Sequence, residues 1–194
     1  MKRISVTALG LATALLASTG YAVAQDQQPT TQLVEGNAQL DNSLNSKSAK
    51  QGDVVTAKLT STVKTPQRVE LPRGTKLLGH VDAVTASDAK GPSKLVLTFD
   101  KAQLKDGKEV AIKATIAGVT PADGIKEMAG EVSNKASFTQ PPGEISGVSL
   151  QSSVEDGNSG TLTGDHRDIS LLRGTQLLMV VAPQLNSSAA VGAQ

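Results

Sequence analysis

Residues 69–81 read "VELPRGTKLLGHV", and residues 169–181 read "ISLLRGTQLLMVV". In both copies a short apolar approach meets Arg-Gly-Thr and leaves as an alternating run. In the first copy, Leu71-Pro72-Arg73-Gly74 has Pro and Gly at the second and fourth positions of a type I turn, which predicts a chain reversal there. On the strand that follows, Thr75, Leu77, Gly79 and Val81 share one face, as do Thr175, Leu177, Met179 and Val181 in the second copy. The other face carries Lys76, Leu78 and His80 in one copy, and Gln176, Leu178 and Val180 in the other. A strand apolar on one face and half apolar on the other belongs in a closed or two-layer sheet, not on an open edge. The doubling therefore predicts two similar ribbons closed against each other around an aliphatic interior.

The rest of the chain repeats this strand character. Short alternating runs of Val, Ile, Leu and Thr are separated by Gly, Asp, Asn and Pro. Val55, Ala57 and Leu59 form one face of "DVVTAKLTSTV", "KLVLTF" alternates similarly, and Val110, Ile112, Ala114 and Ile116 face inward in "EVAIKATIAGV". Between the last two runs, Asp106-Gly107 in "KDGK" predicts a tight hairpin with positive backbone dihedrals. Leu40 and Leu44, four apart in "AQLDNSLNSK", predict one or two helical turns. Residues 120–145 are polar, carry Pro121, Pro141 and Pro142, and hold no period, so they read as a long flexible excursion. The fold expected is all-β: a single small β-barrel or two-layer β-sandwich over 36–183, with one short helical turn.

Both ends are expected to lie outside that domain. Lys2 and Arg3 precede the apolar run "ALGLATALLA", and Ala22-Val23-Ala24 forms a small-residue site, the layout of a secretory signal peptide cleaved between Ala24 and Gln25. The apolar run is interrupted by Thr and Gly and is shorter than the roughly 20 residues a spanning helix needs. Residues 25–35 read as a disordered lead-in and 184–194 as a frayed tail. The mature protein is thus expected to be exported, periplasmic or extracellular, with no membrane span.

Composition narrows the function. With 0 cysteines, an exported chain must hold together by packing alone. Without Lys2 and Arg3 the 19 basic residues become 17 against 18 acidic ones, a net charge of −1, and nothing steers the chain toward nucleic acid. The 1 Tyr is Tyr21, in the expected leader, and there is no Trp, so Phe99 and Phe138 are the whole aromatic supply of the mature chain. Sugars and single-stranded nucleic acid are usually stacked on aromatic rings, so those ligand classes rank last.

Catalytic chemistry finds few parts here. His80 and His166 are the 2 histidines, and no G-x-S-x-G elbow occurs. His80 and Asp82, two apart on one strand, could join Asp165, His166 or Asp168 around a divalent metal, but solvated residues at a sheet rim account for the same letters. Arg73 with the N–H groups around Gly74 could hold an anion, yet one Gly and one Arg do not make a phosphate loop, and the reading is a turn. Glu155-Asp156 sits in the turn "VEDGNSG". No cofactor and no enzymatic activity are expected.

These motifs carry a resemblance. "GDVVTAKLTSTVKTPQRVELPRGTKLLGHV", a hairpin pair around "LKDGKEVAI" and a late "LLRGTQLLMVV" resemble the periplasmic barrel domain of the TrbI-like family, the core-channel scaffold of bacterial conjugation and type IV secretion machines. Gly52, Ala57, Pro72, Gly74, Leu78, Gly79, Asp106, Gly107 and Gly174 fall on its pattern, over residues 36–119 and 146–182. The resemblance implies a barrel and a scaffold role among envelope proteins. The family's membrane helix, Pro-rich arm and two-helix antenna have no counterpart, since 120–145 is too broken by Gly and Pro to cross a bilayer. The expected function is an exported, non-enzymatic β-barrel module acting through protein contacts. The alternative is a periplasmic protein binding a small ligand or divalent metal at a barrel mouth near His80 and His166.

Overall fold

The computed structural model describes residues 34–65, 68–88, 91–122, 137–145 and 147–183. The expected leader, most of the lead-in, residues 123–136 of the excursion and the tail lie outside the described residues. Among the described residues thirteen strands follow one another: β1 (Val34–Leu40), β2 (Leu44–Asn45), β3 (Val54–Leu59), β4 (Val63–Lys64), β5 (Glu70–Leu71), β6 (Lys76–Thr85), β7 (Ser93–Gln103), β8 (Glu109–Thr120), β9 (Ser137–Ile145), β10 (Val148–Ser153), β11 (Gly160–Gly164), β12 (Ser170–Leu171) and β13 (Gln176–Pro183). The protein is all-β. Strands β6, β3, β1, β13, β8 and β7 pair in that order, and β7 returns to β6, closing an antiparallel barrel of six strands.

The alternation read in the sequence is the alternation of the wall. Leu77 and Val81 in β6 are buried, as are Leu177, Met179 and Val181 in β13, and inward residues of β1, β3, β7 and β8 join them in one hydrophobic cluster, with Thr75 and Thr175 buried just before each strand. Each fully buried Leu or Ile in such a cluster contributes about 1.5–3 kcal/mol, so the stability of this cysteine-free chain rests on this interior.

The doubled phrase is half of a larger duplication. Its partner half is the pair of arms 38–46 and 57–65, which match by hydrogen bonds more than by letters. Gly74 N–H donates to the Leu59 carbonyl and Gly174 N–H to the Leu40 carbonyl, both at 2.8 Å; Leu59 and Leu40 N–H donate back to Thr75 and Thr175 carbonyls, both at 2.9 Å. Arg73 N–H reaches Thr62 Oγ1 as Arg173 N–H reaches Ser43 Oγ. Val69 N–H reaches Thr65 Oγ1 as Ile169 N–H reaches Ser46 Oγ. Even the irregularities repeat: β6 slips register against β7 between Leu78 and Gly79, and β13 slips against β8 between Leu178 and Met179.

The barrel is therefore two copies of a three-stranded unit, β3–β6–β7 and β1–β13–β8, joined at β1–β3 and at β7–β8. The β1–β3 register, Ala38 with Leu59, Gln39 with Lys58 and Leu40 with Ala57, is its own mirror under the same correspondence. A pseudo-twofold axis thus passes through the wall between Gln39 and Lys58. Each unit also carries a cap. The β4–β5 ribbon folds over one end, burying Val63 and Leu71, and the β2–β12 ribbon folds over the other, burying Leu44, Ile169 and Leu171, all in the same cluster.

Several expectations are corrected in detail. The turn of the doubled phrase is closed by Thr75 N–H on the Pro72 carbonyl and by Thr175 N–H on the Leu172 carbonyl. Gly74 and Gly174 therefore hold the third turn position, at φ of 91° and 94°, the conformation a type II turn demands there, and Pro72 stands at the first position, where Leu172 serves as well. Leu40 and Leu44 are not helical. Leu40 ends β1 and Leu44 begins β2, both facing the core, and the local turn is a single loop in which Ser48 and Ala49 N–H share the Asn45 carbonyl. The hairpin between β7 and β8 closes through Gly107 N–H on the Leu104 carbonyl and Leu104 N–H on the Lys108 carbonyl. Only Gly107 has positive φ, 83°, so the loop is a turn ending in a glycine bulge and not a two-residue turn with both residues left-handed.

Val34 and Glu35 lie in β1, inside the expected lead-in, and 137–145 is strand β9, inside the expected excursion. Pro141 and Pro142 hid it from the pattern. In β9 they fall where the β9–β10 register jumps from Gln140 to Ile145, a bulged stretch that needs no regular N–H donors.

Candidate functional site

His80 and Asp82 stand on the outer side of β6 and meet: His80 Nε2 donates to Asp82 Oδ1 at 2.9 Å, and Thr98 Oγ1 of β7 donates to the other carboxylate oxygen. The carboxylate sits between imidazole and hydroxyl, so the hydroxyl proton rests on the carboxylate and not on the imidazole, an order unlike the nucleophile–histidine–carboxylate relay. His166, at φ 51°, faces Asp165 across 3.4 Å, with both side chains about three-quarters exposed. Asp168 is engaged elsewhere: its Oδ1 accepts from Ser87 N–H and Ser46 Oγ, tying the segment after β6 to the β2–β12 cap. The structure thus forms two separate His–Asp pairs. Among the described residues no three His, Asp or Glu side chains gather as a metal-binding group. At the ends of the barrel, the capping ribbons bury Val63, Leu71, Leu44, Ile169 and Leu171 in the core cluster.

The remaining motif residues are turn and packing positions. Gly52 N–H donates to the Val81 carbonyl, anchoring the loop before β3 to β6. Asp106 Oδ1 accepts from Lys108 N–H in the hairpin. A Cβ on Gly79 would collide with the Thr98 carbonyl and stand 2.9 Å from Phe99 Cδ1. Arg73 and Arg173 are exposed and lie at opposite ends of the barrel, where each turn docks on its own arm.

The wall departs from its own symmetry at the β7–β8 seam, as well as in a second register shift of β6 against β7 between Val81 and Ala83 that β13 lacks. Continuing the β7–β8 register of Phe99 with Ala114 would pair Leu97 with Ile116. Instead β7 pairs with β8 only over 99–103, while Ser93–Leu97 pairs with β11. Ser159 stands in the fork. It accepts from Ile116 N–H at 2.7 Å, donates its N–H to Leu97 O at 2.8 Å, and takes Phe99 N–H on its Oγ at 2.8 Å. Ser152 Oγ donates to Ile116 O at 2.5 Å. Three strands, β11–β10–β9, are thereby inserted into the barrel wall.

The insert is fastened at its far end by a side chain. Gln140 of β9 accepts from Val119 N–H through Oε1 and donates to Val119 O through Nε2, both at 2.7 Å, so one amide stands in for a peptide unit against β8. Val119, Gln140, Ile145, Val148, Leu150 and Leu162 surround an apolar cleft of about 160 Å³, too narrow throughout for a water-sized sphere. A dry slot of this kind is packing, not a ligand pocket. Among the described residues β9 is laddered only to β10, with Ser137 and Thr139 exposed and Gln140 reaching across to β8. The sequence pointed to none of Gln140, Ser152 or Ser159: Ser159 lay within a run of turn residues, and Gln140 beside two prolines.

Compared with known proteins, no family model matches the chain, and no curated protein does.

Proposed function

We propose that this chain is an exported, non-enzymatic β-barrel module of the bacterial envelope, a TrbI-like scaffold that works by contact with other envelope proteins. The observation that carries the reading is the closed barrel itself. Its interior is packed with aliphatic side chains and Phe99, capping ribbons bury apolar residues against it, and a three-stranded insert ending in β9 elaborates the wall. A strand that ends the described sheet can accept an extended segment of a partner through backbone hydrogen bonds, which supports recognition at the outer surface. The leader-like residues 1–24 and the resemblance of the barrel motifs supply the compartment and the partner class. The pairs at His80 and His166 offer two ligands each, too few for the metal-binding alternative to be preferred.

The test uses a photo-cross-linking residue in place of Thr139 on β9, in the cells that make the protein. Discrete adducts with one or a few envelope proteins are expected, and far fewer from the same residue at Lys58 on the opposite wall. A clean surface with no adduct from either position, together with unchanged envelope phenotypes when 120–145 is deleted, overturns the proposal.

A further inference from the structure

Two Asp-Gly steps, Asp106-Gly107 and Asp156-Gly157, and three Asn-Ser steps occur among the described residues. These are the dipeptides most prone to cyclise, because a small following residue lets its backbone nitrogen approach the side-chain carbonyl carbon. The nitrogen must be free to lose its proton, and the side chain free to turn toward it. At four of the five steps the fold withholds one or both. Gly107 N–H is bound to Leu104 O, and Asp106 Oδ1 is held by Lys108 N–H. Asn42 bridges Val54 O and Thr56 N–H. Ser46 N–H is bound to Ile169 O, and Ser159 N–H to Leu97 O.

Asp156-Gly157 is different. Both residues are exposed in the loop between β10 and β11, and neither the Asp156 carboxylate nor Gly157 N–H has a hydrogen-bond partner among the described residues. A Cβ at Gly157 would meet nothing within 4 Å, so the approach is open.

We propose that Asp156 is a site of spontaneous isomerisation to isoaspartate in the folded protein, with water as the only co-reactant, and that Asp106 is protected. The Gly157 nitrogen gives its proton to solvent base and attacks Asp156 Cγ; the C–N bond forms as the carboxyl hydroxyl leaves as water, closing a succinimide. Water then opens the ring. Attack at the α-carbonyl breaks its bond to nitrogen and leaves the chain running through the β-carboxyl, with one water lost, one gained and no change of mass. The product carries one more methylene in the main chain, three residues before the Ser159 N–H and carbonyl that hold β7 and β8 apart.

The test incubates the purified full chain, folded, at mildly acidic pH, where part of the carboxyl is protonated and has a hydroxyl to lose, and at body temperature, and reads isoaspartate peptide by peptide with a protein isoaspartyl methyltransferase. Signal is expected on the peptide containing Asp156 at a rate about tenfold or more above that at Asp106, the factor that loss of one or two modest hydrogen bonds would give. In concentrated urea the two peptides should label alike. Gly157→Ala, at a position with no steric or left-handed demand, should fold normally and cut the Asp156 signal about tenfold or more. Equal labelling of Asp106 and Asp156 in the folded chain, or an Asp156 peptide silent when folded yet labelled in urea, overturns the inference.

Discussion

Phe99 and Gly79 face each other across β6 and β7 where, in the second unit, Ile116 faces Met179. One unit fills its half of the interior with a ring against no side chain, the other with two aliphatic chains of moderate size. The near-symmetric backbone is thus packed by unequal residues of similar summed bulk, as cores tolerate when total volume is kept. Gly79→Ala places its methyl against the Thr98 carbonyl, which belongs to a ladder and cannot give way, and should cost about 1–3 kcal/mol or more by chemical denaturation. Met179→Ala leaves a void instead and should cost about 2–5 kcal/mol. Thr75 makes the opposite prediction. Its hydroxyl is buried without a hydrogen-bond partner among the described residues, so Thr75→Val, nearly isosteric, should raise stability by about 1 kcal/mol; a loss of that size would show that the hydroxyl is satisfied in solution. The inward order Thr75, Leu77, Gly79, Val81 was legible because strand periodicity alone decides it. That Gly79 answers Phe99 was not, since the pairing depends on a register that no local run of letters encodes.

Among the elements, the Arg-Gly-Thr turns are the parts that the sequence announced, and their frame is set by hydrogen bonds to strands distant in the chain. Gly74 and Gly174 both need φ near 90°, so Ala at either should cost about 1–2 kcal/mol. The costs should differ in a definite direction. A Cβ at Gly74 meets only the end of the Lys105 side chain at 3.2 Å, whereas one at Gly174 meets the Ala122 Cβ at 3.1 Å, so Gly174→Ala should be the more destabilising of the two in a urea series. β9 shows the limit of local reading. Two prolines and a polar run erase the alternation, and the strand is stabilised by its neighbour β10 and by the Gln140 amide on Val119 rather than by its own propensity. Gln140→Ala should accordingly leave the barrel midpoint of unfolding little changed while speeding amide exchange at Val119 by about tenfold; protection as before at Val119 would mean the insert is held elsewhere.

At the scale of the whole molecule, the duplication explains why a chain without disulfides is one unit and not two. The first copy is continuous, 54–103, but the second is assembled from 34–46, 109–120 and 169–183, and each copy supplies both partners of the other's edge strands. An isolated 54–103 would leave the edges of β3 and β7 unpaired and half the interior open to water. The second arm escaped the sequence reading because "AQLDNSLNS" and "AKLTSTVKT" share little more than Ala, Leu, two hydroxyls and an aliphatic residue, and the fold asks for little else there: two Oγ atoms that each receive an N–H and a side chain to plug the end. Interlocking of this kind makes stability indivisible. Leu40 and Leu59 N–H groups, bound to the Thr175 and Thr75 carbonyls in equivalent places, should exchange only through global unfolding and with equal free energies, although one lies near the start of the domain and the other in its continuous copy. Native-state hydrogen exchange against denaturant measures both at once. If Leu40 exchanged through a separate, less costly opening, the N-terminal arm would be a detachable strand and the barrel a five-stranded sheet with a clasp. If the two coincide, removing 34–46 should abolish the cooperative transition altogether, because β3 and β13 would lose a shared neighbour and one cap of the core with it.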